Sequence, residues 1–144
     1  MNTSLACCVD ASFIIRLIES GDENTETVLL WEQWHENGYE IVAPTLLLYE
    51  VSNAFFQYVR YGTLLLDEAQ DALQAAINFN ITLYGDALLH AGALDIAREY
   101  GLKASYDAHY LALAERLGVD FWTADRRLVR AVQSQLDWVH LVES

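Results

Sequence analysis

The sequence predicts an α/β protein with three layers, in which helices cover both faces of a central parallel sheet. Short apolar runs typical of buried strands alternate with longer amphipathic runs typical of helices, from the start of the chain to its end. At two places an aspartate, Asp10 or Asp125, lies just past the end of a predicted strand and precedes a predicted helix. Because ligands of open α/β sheets lie outside the carboxyl ends of the strands, both positions are suited to chemistry.

Length and composition indicate one domain of ordinary size. The chain has 144 residues, 53% of them hydrophobic, and no Ser/Gly-rich tract, so residues 1–144 are predicted to form a single domain. Neither a signal peptide nor a bilayer-length apolar run is evident, so we expect a soluble, cytoplasmic protein. Cys7 and Cys8 are neighbours on the first predicted strand and point to opposite faces, so we expect buried thiols without a disulfide.

The charge balance argues against a typical nucleic-acid-binding protein. The formal net charge is −13, from 21 acidic and 8 basic residues, and the chain should bind polyanions poorly without help. A protein with this negative charge could attract a basic protein partner. Any function on nucleic acid would require a cation that neutralises the site.

Capping residues and glycines bound the elements of the first half. Gly21 ends the first helix. The second helix begins in the acidic and capping segment 22–26 and ends at Asn37-Gly38. Pro44 is expected in the first turn of the third helix, where proline is tolerated. The predicted elements are a strand at 5–9, a helix from about 12 to 20, a helix from about 22 to 34, a strand at 39–43 and a helix at 44–60.

The second half follows the same logic. Asp67-Glu68 opens a helix, Gly101 and Gly118 end two others, and Asp107 lies in a first turn, where the helix dipole favours a negative charge. The predicted elements are a helix from 67 to about 77, a strand at 80–83, a helix at 86–100, a helix from about 106 to 117, a strand at 119–123, a helix at 126–134 and an edge strand at 138–141.

Four acidic residues form the candidate site. Asp10 and Asp125 follow strands, Asp107 opens a helix, and Glu50 lies in an apolar helix with Asn53 three residues later. Each has a simple structural alternative, since the aspartates can cap helices and Glu50 can face solvent. Two carboxylates about 4 Å apart repel by roughly 4 kcal/mol at an effective dielectric near 20, so a cluster must hold protons or bind a cation. Oxygen-only ligands favour Mg²⁺ or Mn²⁺ over zinc.

Four segments resemble, in order, the motifs of PIN-domain proteins, particularly the VapC toxins. They are Val9-Asp10-Ala11-Ser12, Tyr49-Glu50-Val51-Ser52-Asn53, Tyr106–Glu115 and Thr123–Leu128. The resemblance covers nearly the whole chain, and its specificity comes from the ordered set. It implies a single PIN domain with a three-layer α/β/α fold and Mg²⁺- or Mn²⁺-dependent endoribonuclease activity. It also implies a homodimer and neutralisation by a cognate antitoxin.

The resemblance also assigns roles by position. It implies metal-assisted phosphodiester hydrolysis, without a Cys, Lys or Ser nucleophile. Asp10 and Asp107 would bind the metal directly, and Glu50 and Asp125 would bind it directly or through water. Three polar residues would orient carboxylates and water: Ser12, Asn53 and Thr123.

Basic and aromatic residues suggest weaker hypotheses. Arg126, Arg127 and Arg130 form the one basic cluster and could contact phosphate near Asp125, as could Lys103, although a solvated surface is the simpler interpretation. Aromatic residues of the second and third helices are expected in the core and in a subunit interface, or in a groove for an antitoxin helix: Trp31, Trp34, Phe55, Phe56, Tyr58 and Tyr61.

Two other classes of function compete with the nuclease. Phosphoaspartyl proteins also place an aspartate after a strand, but the phosphatases need a second aspartate where this chain has Ser12. Receivers need adjacent acids on the first strand, where Cys8-Val9 precedes Asp10, and a late lysine after a strand, whereas Lys103 is the only lysine. A non-catalytic PIN-like scaffold that binds a partner protein remains open.

Overall fold

A parallel sheet is the centre of the computed structural model, which describes residues 5–144. Within those residues the chain forms five strands and seven helices, as expected for an α/β protein. In chain order they are β1 (Ala6–Val9), α1 (Ala11–Ser20), α2 (Glu26–Glu36), β2 (Glu40–Pro44), α3 (Leu46–Arg60), α4 (Leu66–Asn78), β3 (Ile81–Tyr84), α5 (Leu88–Glu99), α6 (Tyr106–Leu117), β4 (Asp120–Thr123), α7 (Arg126–Val132) and β5 (Val139–Leu141).

The strand order creates a switch point beside β1. The order is β3-β2-β1-β4-β5, and all four pairings are parallel. The chain moves outward from β1 to β2 and β3, then returns across the sheet to β4 on the other side of β1. In open α/β sheets such a reversal opens a crevice at the carboxyl ends of the two neighbouring strands. Asp10 directly follows β1, and Asp125 lies just beyond β4 at this crevice.

The helices form two layers around the sheet. Helix α1 contacts α2, α3 and α4, while α5 packs against α6, and α6 contacts β1, β2 and β4. Parallel strands are joined by right-handed crossovers, so connections that run in opposite directions along the sheet lie on opposite faces. The predicted three-layer α/β/α arrangement is confirmed.

The core explains the apolar runs of the sequence. Phe13, Leu47, Tyr110 and Phe121 are fully buried and lie on α1, α3, α6 and β4, so the core joins both layers to the sheet. Helix α6 is buried nearly all around because it lies between α5 and the sheet, which accounts for its alanine-rich sequence. Among residues 5–144, no helix has the length and apolar character to cross a bilayer.

The two cysteines are buried and unbridged. Cys7 and Cys8 are almost inaccessible to solvent, as expected for apolar core residues. Burial, and to a lesser degree the charge of Asp120, raises the pKa of the Cys7 thiol to about 12. A neutral buried thiol is a poor nucleophile and a poor metal ligand.

One predicted boundary is wrong. Pro44 is the last residue of β2, paired with Tyr84 of β3, and helix α3 begins at Leu46 after the Thr45 N-cap. Proline is tolerated there because pairing with β1 ends at Val42, and the next ladder bond on the β3 side is donated by the backbone N of Thr45 to the Tyr84 carbonyl. The remaining boundaries differ from expectation by a few residues at most.

Candidate active site

Asp10 combines a structural role with an unusual environment. It is the N-cap of α1, and its Oδ1 accepts a hydrogen bond from the backbone N of Phe13 at 3.0 Å. The alternative that Asp10 caps a helix is therefore true, and Ser12 lies in the first turn of that helix. Asp10 is only 5% exposed, and a buried carboxylate is costly unless it is hydrogen-bonded or paired with a cation.

Two hydroxyl groups bind the Asp10 carboxylate. Ser12 Oγ donates to Oδ1 at 2.7 Å, and Thr123 Oγ1 donates to Oδ2 at 2.6 Å. The backbone N groups of Ala124 and Asp125 donate in turn to Ser12 Oγ and Thr123 Oγ1. This network joins the carboxyl ends of β1 and β4 and holds the Asp10 side chain in one orientation.

Asp125 is held by the first turn of α7. Its Oδ1 accepts hydrogen bonds from the backbone N of Arg127 at 3.0 Å and of Leu128 at 3.3 Å. The side chain is partly buried, and its own backbone N bonds to Thr123. Asp125 is therefore tied to the same network that orients Asp10.

Glu50 has a tyrosine partner on another helix. The hydroxyl of Tyr110 on α6 donates to Glu50 Oε1 on α3 at 2.5 Å. Tyr110 is fully buried, and burial followed by the Glu50 charge holds its pKa far above the usual range. The hydroxyl therefore stays protonated as a donor, and Glu50 is neither a free surface residue nor an unpaired buried charge.

Asp107 is the electrostatic centre of the group. Burial raises its pKa to about 6, with further contributions from the charges of Asp125 and Glu50. Burial also raises the pKa of Asp10 to about 6, against the lowering effect of its hydrogen bonds, and the charge of Asp107 adds to the increase. Asp107 therefore lies near enough to Asp10, Glu50 and Asp125 for their charges to influence one another.

The donor set suits a hard cation that keeps much of its water. All the candidate ligands are carboxylate oxygens, which Mg²⁺ and Mn²⁺ prefer. Within residues 5–144, however, no three His, Cys, Asp or Glu side chains are close enough together to hold one ion as a group. Hydroxyl and amide donors already occupy oxygens of Asp10, Glu50 and Asp125. Mg²⁺ commonly binds one or two carboxylates and several waters, which fits this more open arrangement.

The remaining predicted residue lies apart from this network. Asn53 is exposed on α3, and its Oδ1 accepts a long hydrogen bond of 3.4 Å from Gln57 Nε2. Its role in orienting carboxylates stays a prediction. Tyr110, by contrast, has a contact that sequence reasoning did not assign. Its spacing of three residues from Asp107 places the two on one side of α6, which was the available signal.

The pKa of Asp107 predicts that removing its charge stabilises the metal-free protein. Its pKa in the folded state is about 6, above the ordinary 3.8, so folding stability should fall as pH rises through this interval and stay low above it. We expect Asp107→Asn to raise the melting temperature in EDTA by about 5 °C near pH 8, and to lose this advantage near pH 4. Asp95→Asn removes an exposed acid on α5 and is the control. Equal shifts in both variants would contradict the prediction.

The Tyr110–Glu50 hydrogen bond predicts a measurable coupling energy. A double-mutant cycle with Tyr110→Phe and Glu50→Gln, measured by urea unfolding, should give about 1–2 kcal/mol. The matched control is the exposed Tyr58–Glu19 pair, whose hydroxyl-to-carboxylate distance is 3.1 Å and whose coupling should stay below about 0.5 kcal/mol. A coupling at Tyr110 no larger than the control would mean that the buried contact does not hold Glu50.

Comparison with known proteins agrees with this architecture. The family model described as the PIN domain matches residues 7–133. The chain is 35% identical over 126 residues to Ribonuclease VapC3 of Pyrobaculum aerophilum, covering 83% of this chain and 89% of that protein.

Solved structures share the fold. A crystal structure from Pyrobaculum aerophilum is 26% identical and covers 93% of this chain and 91% of its own, with a TM-score of 0.67. A toxin-antitoxin complex from Klebsiella pneumoniae contains a chain that is 16% identical, with 96% and 98% coverage and a TM-score of 0.65. The extent of the family match and the identity to VapC3 establish that this chain belongs to the PIN-domain family, among its VapC-like members.

Proposed function

We propose that this protein is an endoribonuclease that depends on Mg²⁺ or Mn²⁺ and acts as the toxin of a type II toxin-antitoxin pair. The observation that carries the proposal is that Asp10 and Asp107, near the switch point of the sheet, have pKa values raised to about 6 by burial and by the charges of neighbouring acids, among them Asp125 and Glu50. Packing alone gives no reason to collect mutually repelling acids. Similarity to a protein named as a ribonuclease supports RNA as the substrate.

The four acids divide into two proposed roles. Asp10 and Asp107 would bind the ion directly, while Glu50 and Asp125 would bind it directly or through water. A divalent ion there would lower the pKa of water and stabilise the charge that develops on the phosphate during phosphodiester hydrolysis.

The chain's own groups prepare this site. Ser12 and Thr123 donate hydrogen bonds to Asp10, and Tyr110 donates one to Glu50. Asn53 is assigned an orienting role by position alone. An ion would also cancel part of the local negative charge, which answers the objection that a chain of net charge −13 repels RNA.

Protein partners are the second part of the proposal. A cognate antitoxin is supported by the fold shared with a protein solved as a toxin-antitoxin complex. Large apolar side chains are exposed along α3 and the start of α4, including Phe56, Tyr61, Leu65 and Leu66, whereas Trp34 and Phe55 are buried in the core. Exposed large apolar side chains suit a protein interface. The proposal also includes a homodimer, in which each chain is a single PIN domain of residues 1–144, and a cytoplasmic location.

Asp10→Asn tests the nuclease directly. Asparagine retains a side-chain oxygen that can cap α1, so the fold should survive while a charged ligand is lost. We expect wild type to cleave RNA with Mg²⁺ or Mn²⁺ but not in EDTA, and Asp10→Asn to lower the rate at least about 100-fold. Gel assays of labelled total RNA measure cleavage, circular dichroism checks folding, and Asp95→Asn serves as the charge control.

The outcomes separate the candidate functions. Metal-independent cleavage, or an Asp10→Asn variant with wild-type activity, would overturn the proposed mechanism. A wild-type protein that binds metal and a partner protein but cleaves no nucleic acid would favour the alternative, a non-catalytic PIN-like scaffold.

A further inference from the structure

A pocket lined by two of the four acids is also lined by two basic side chains that the proposed chemistry does not use. It has a volume of about 340 Å³ and lies between the loop that precedes α6 and the helix α7. Two of the proposed site acids, Asp107 and Asp125, line this pocket. Lys103 of the loop and Arg127 of α7 line it as well. Positive side chains therefore border the carboxylate cluster at this point.

Both cations lack a carboxylate partner. Within residues 5–144, neither Lys103 nor Arg127 forms a salt bridge, although two acids line the same pocket. Asp125 is instead engaged by backbone N groups of α7. The protein has only 8 basic residues against 21 acidic ones, so two unpaired cations beside acids are available for another anion.

We propose that Lys103 and Arg127 bind backbone phosphates of the RNA strand next to the phosphate that is cleaved. This assignment rests on the proposed nuclease function and adds the residues that hold the substrate. An acidic protein needs local cations to retain a polyanion, and phosphate contacts supply most of the sequence-independent affinity for nucleic acid. Arg127 can donate two parallel hydrogen bonds to a phosphate, while Lys103 offers a compact charge on a flexible stem.

The pocket distinguishes Arg127 from its neighbours. Arg126 pairs with Glu143 at 2.7 Å, and Arg130 lies on the same helix but does not line the pocket. Of the three arginines of α7, only Arg127 therefore lines the pocket and is free to contact a substrate phosphate. Arg130 is the matched control, because it has the same chemistry, the same helix and an exposed position.

Salt dependence of RNA binding tests the assignment. Lys103→Gln, Arg127→Gln and Arg130→Gln are made in the full chain, both in wild type and in the Asp10→Asn background. Fluorescence anisotropy with a labelled single-stranded RNA of mixed sequence measures Kd over a KCl series with Mg²⁺ present. Lys103→Gln and Arg127→Gln should each weaken binding about fivefold and reduce the slope of log Kd against log[KCl] by about 0.7, whereas Arg130→Gln should change neither.

Cleavage by the same variants separates substrate binding from chemistry. Lys103→Gln and Arg127→Gln should raise KM about fivefold with kcat within about twofold of wild type, because both residues bind substrate and neither reacts. Unchanged salt slopes, or equal losses in all three variants, would overturn the assignment. RNA binding with the expected slopes but no cleavage would support the two phosphate contacts and contradict the proposed nuclease function. Metal-dependent RNA cleavage with unchanged slopes would support the nuclease function and contradict the two phosphate contacts.

Discussion

The hydrogen bonds around the Asp10 carboxylate are the interaction on which the site depends. One side chain caps α1 and accepts hydroxyl donors from Ser12 and Thr123, so the ends of β1 and β4 are joined at the point where the chain reverses across the sheet. The same hydroxyls bond to backbone groups that lead into α7 and Asp125. The network therefore orients two of the four acids and fixes the crevice between them.

The site is built at a cost in folding energy. Burial and mutual repulsion raise the pKa values of Asp10 and Asp107, so both acids ionise at neutral pH only by destabilising the folded chain. Neutral donors from Thr123, Ser12 and the backbone N of Phe13 offset part of that cost at Asp10 without cancelling its negative charge. A divalent cation would offset more of it, and cations at the rim would let a phosphate chain approach. This conflict between stability and local charge is typical of functional sites.

Much of the fold was predictable because its signals are local. Alternating apolar runs and capping residues located every strand and helix to within a few residues, and the all-parallel arrangement follows from the strand-helix alternation. Pro44 was misplaced because proline suits both a first helical turn and the end of a strand, and only the pairing with β3 decides between them. The position of Asp10 at the end of a strand could likewise be predicted from the sequence.

By itself the sequence determined the fold class and the order of elements, and it nominated four acids as the proposed site, since these depend on periodicity, caps and ordered motifs along the chain. Tertiary structure alone decided which groups meet. Thr123 reaches Asp10 and Tyr110 reaches Glu50 across gaps of 113 and 60 residues, and Lys103 meets Arg127 in a pocket formed by separate elements. Such contacts depend on strand order and helix packing, which residue patterns do not encode locally.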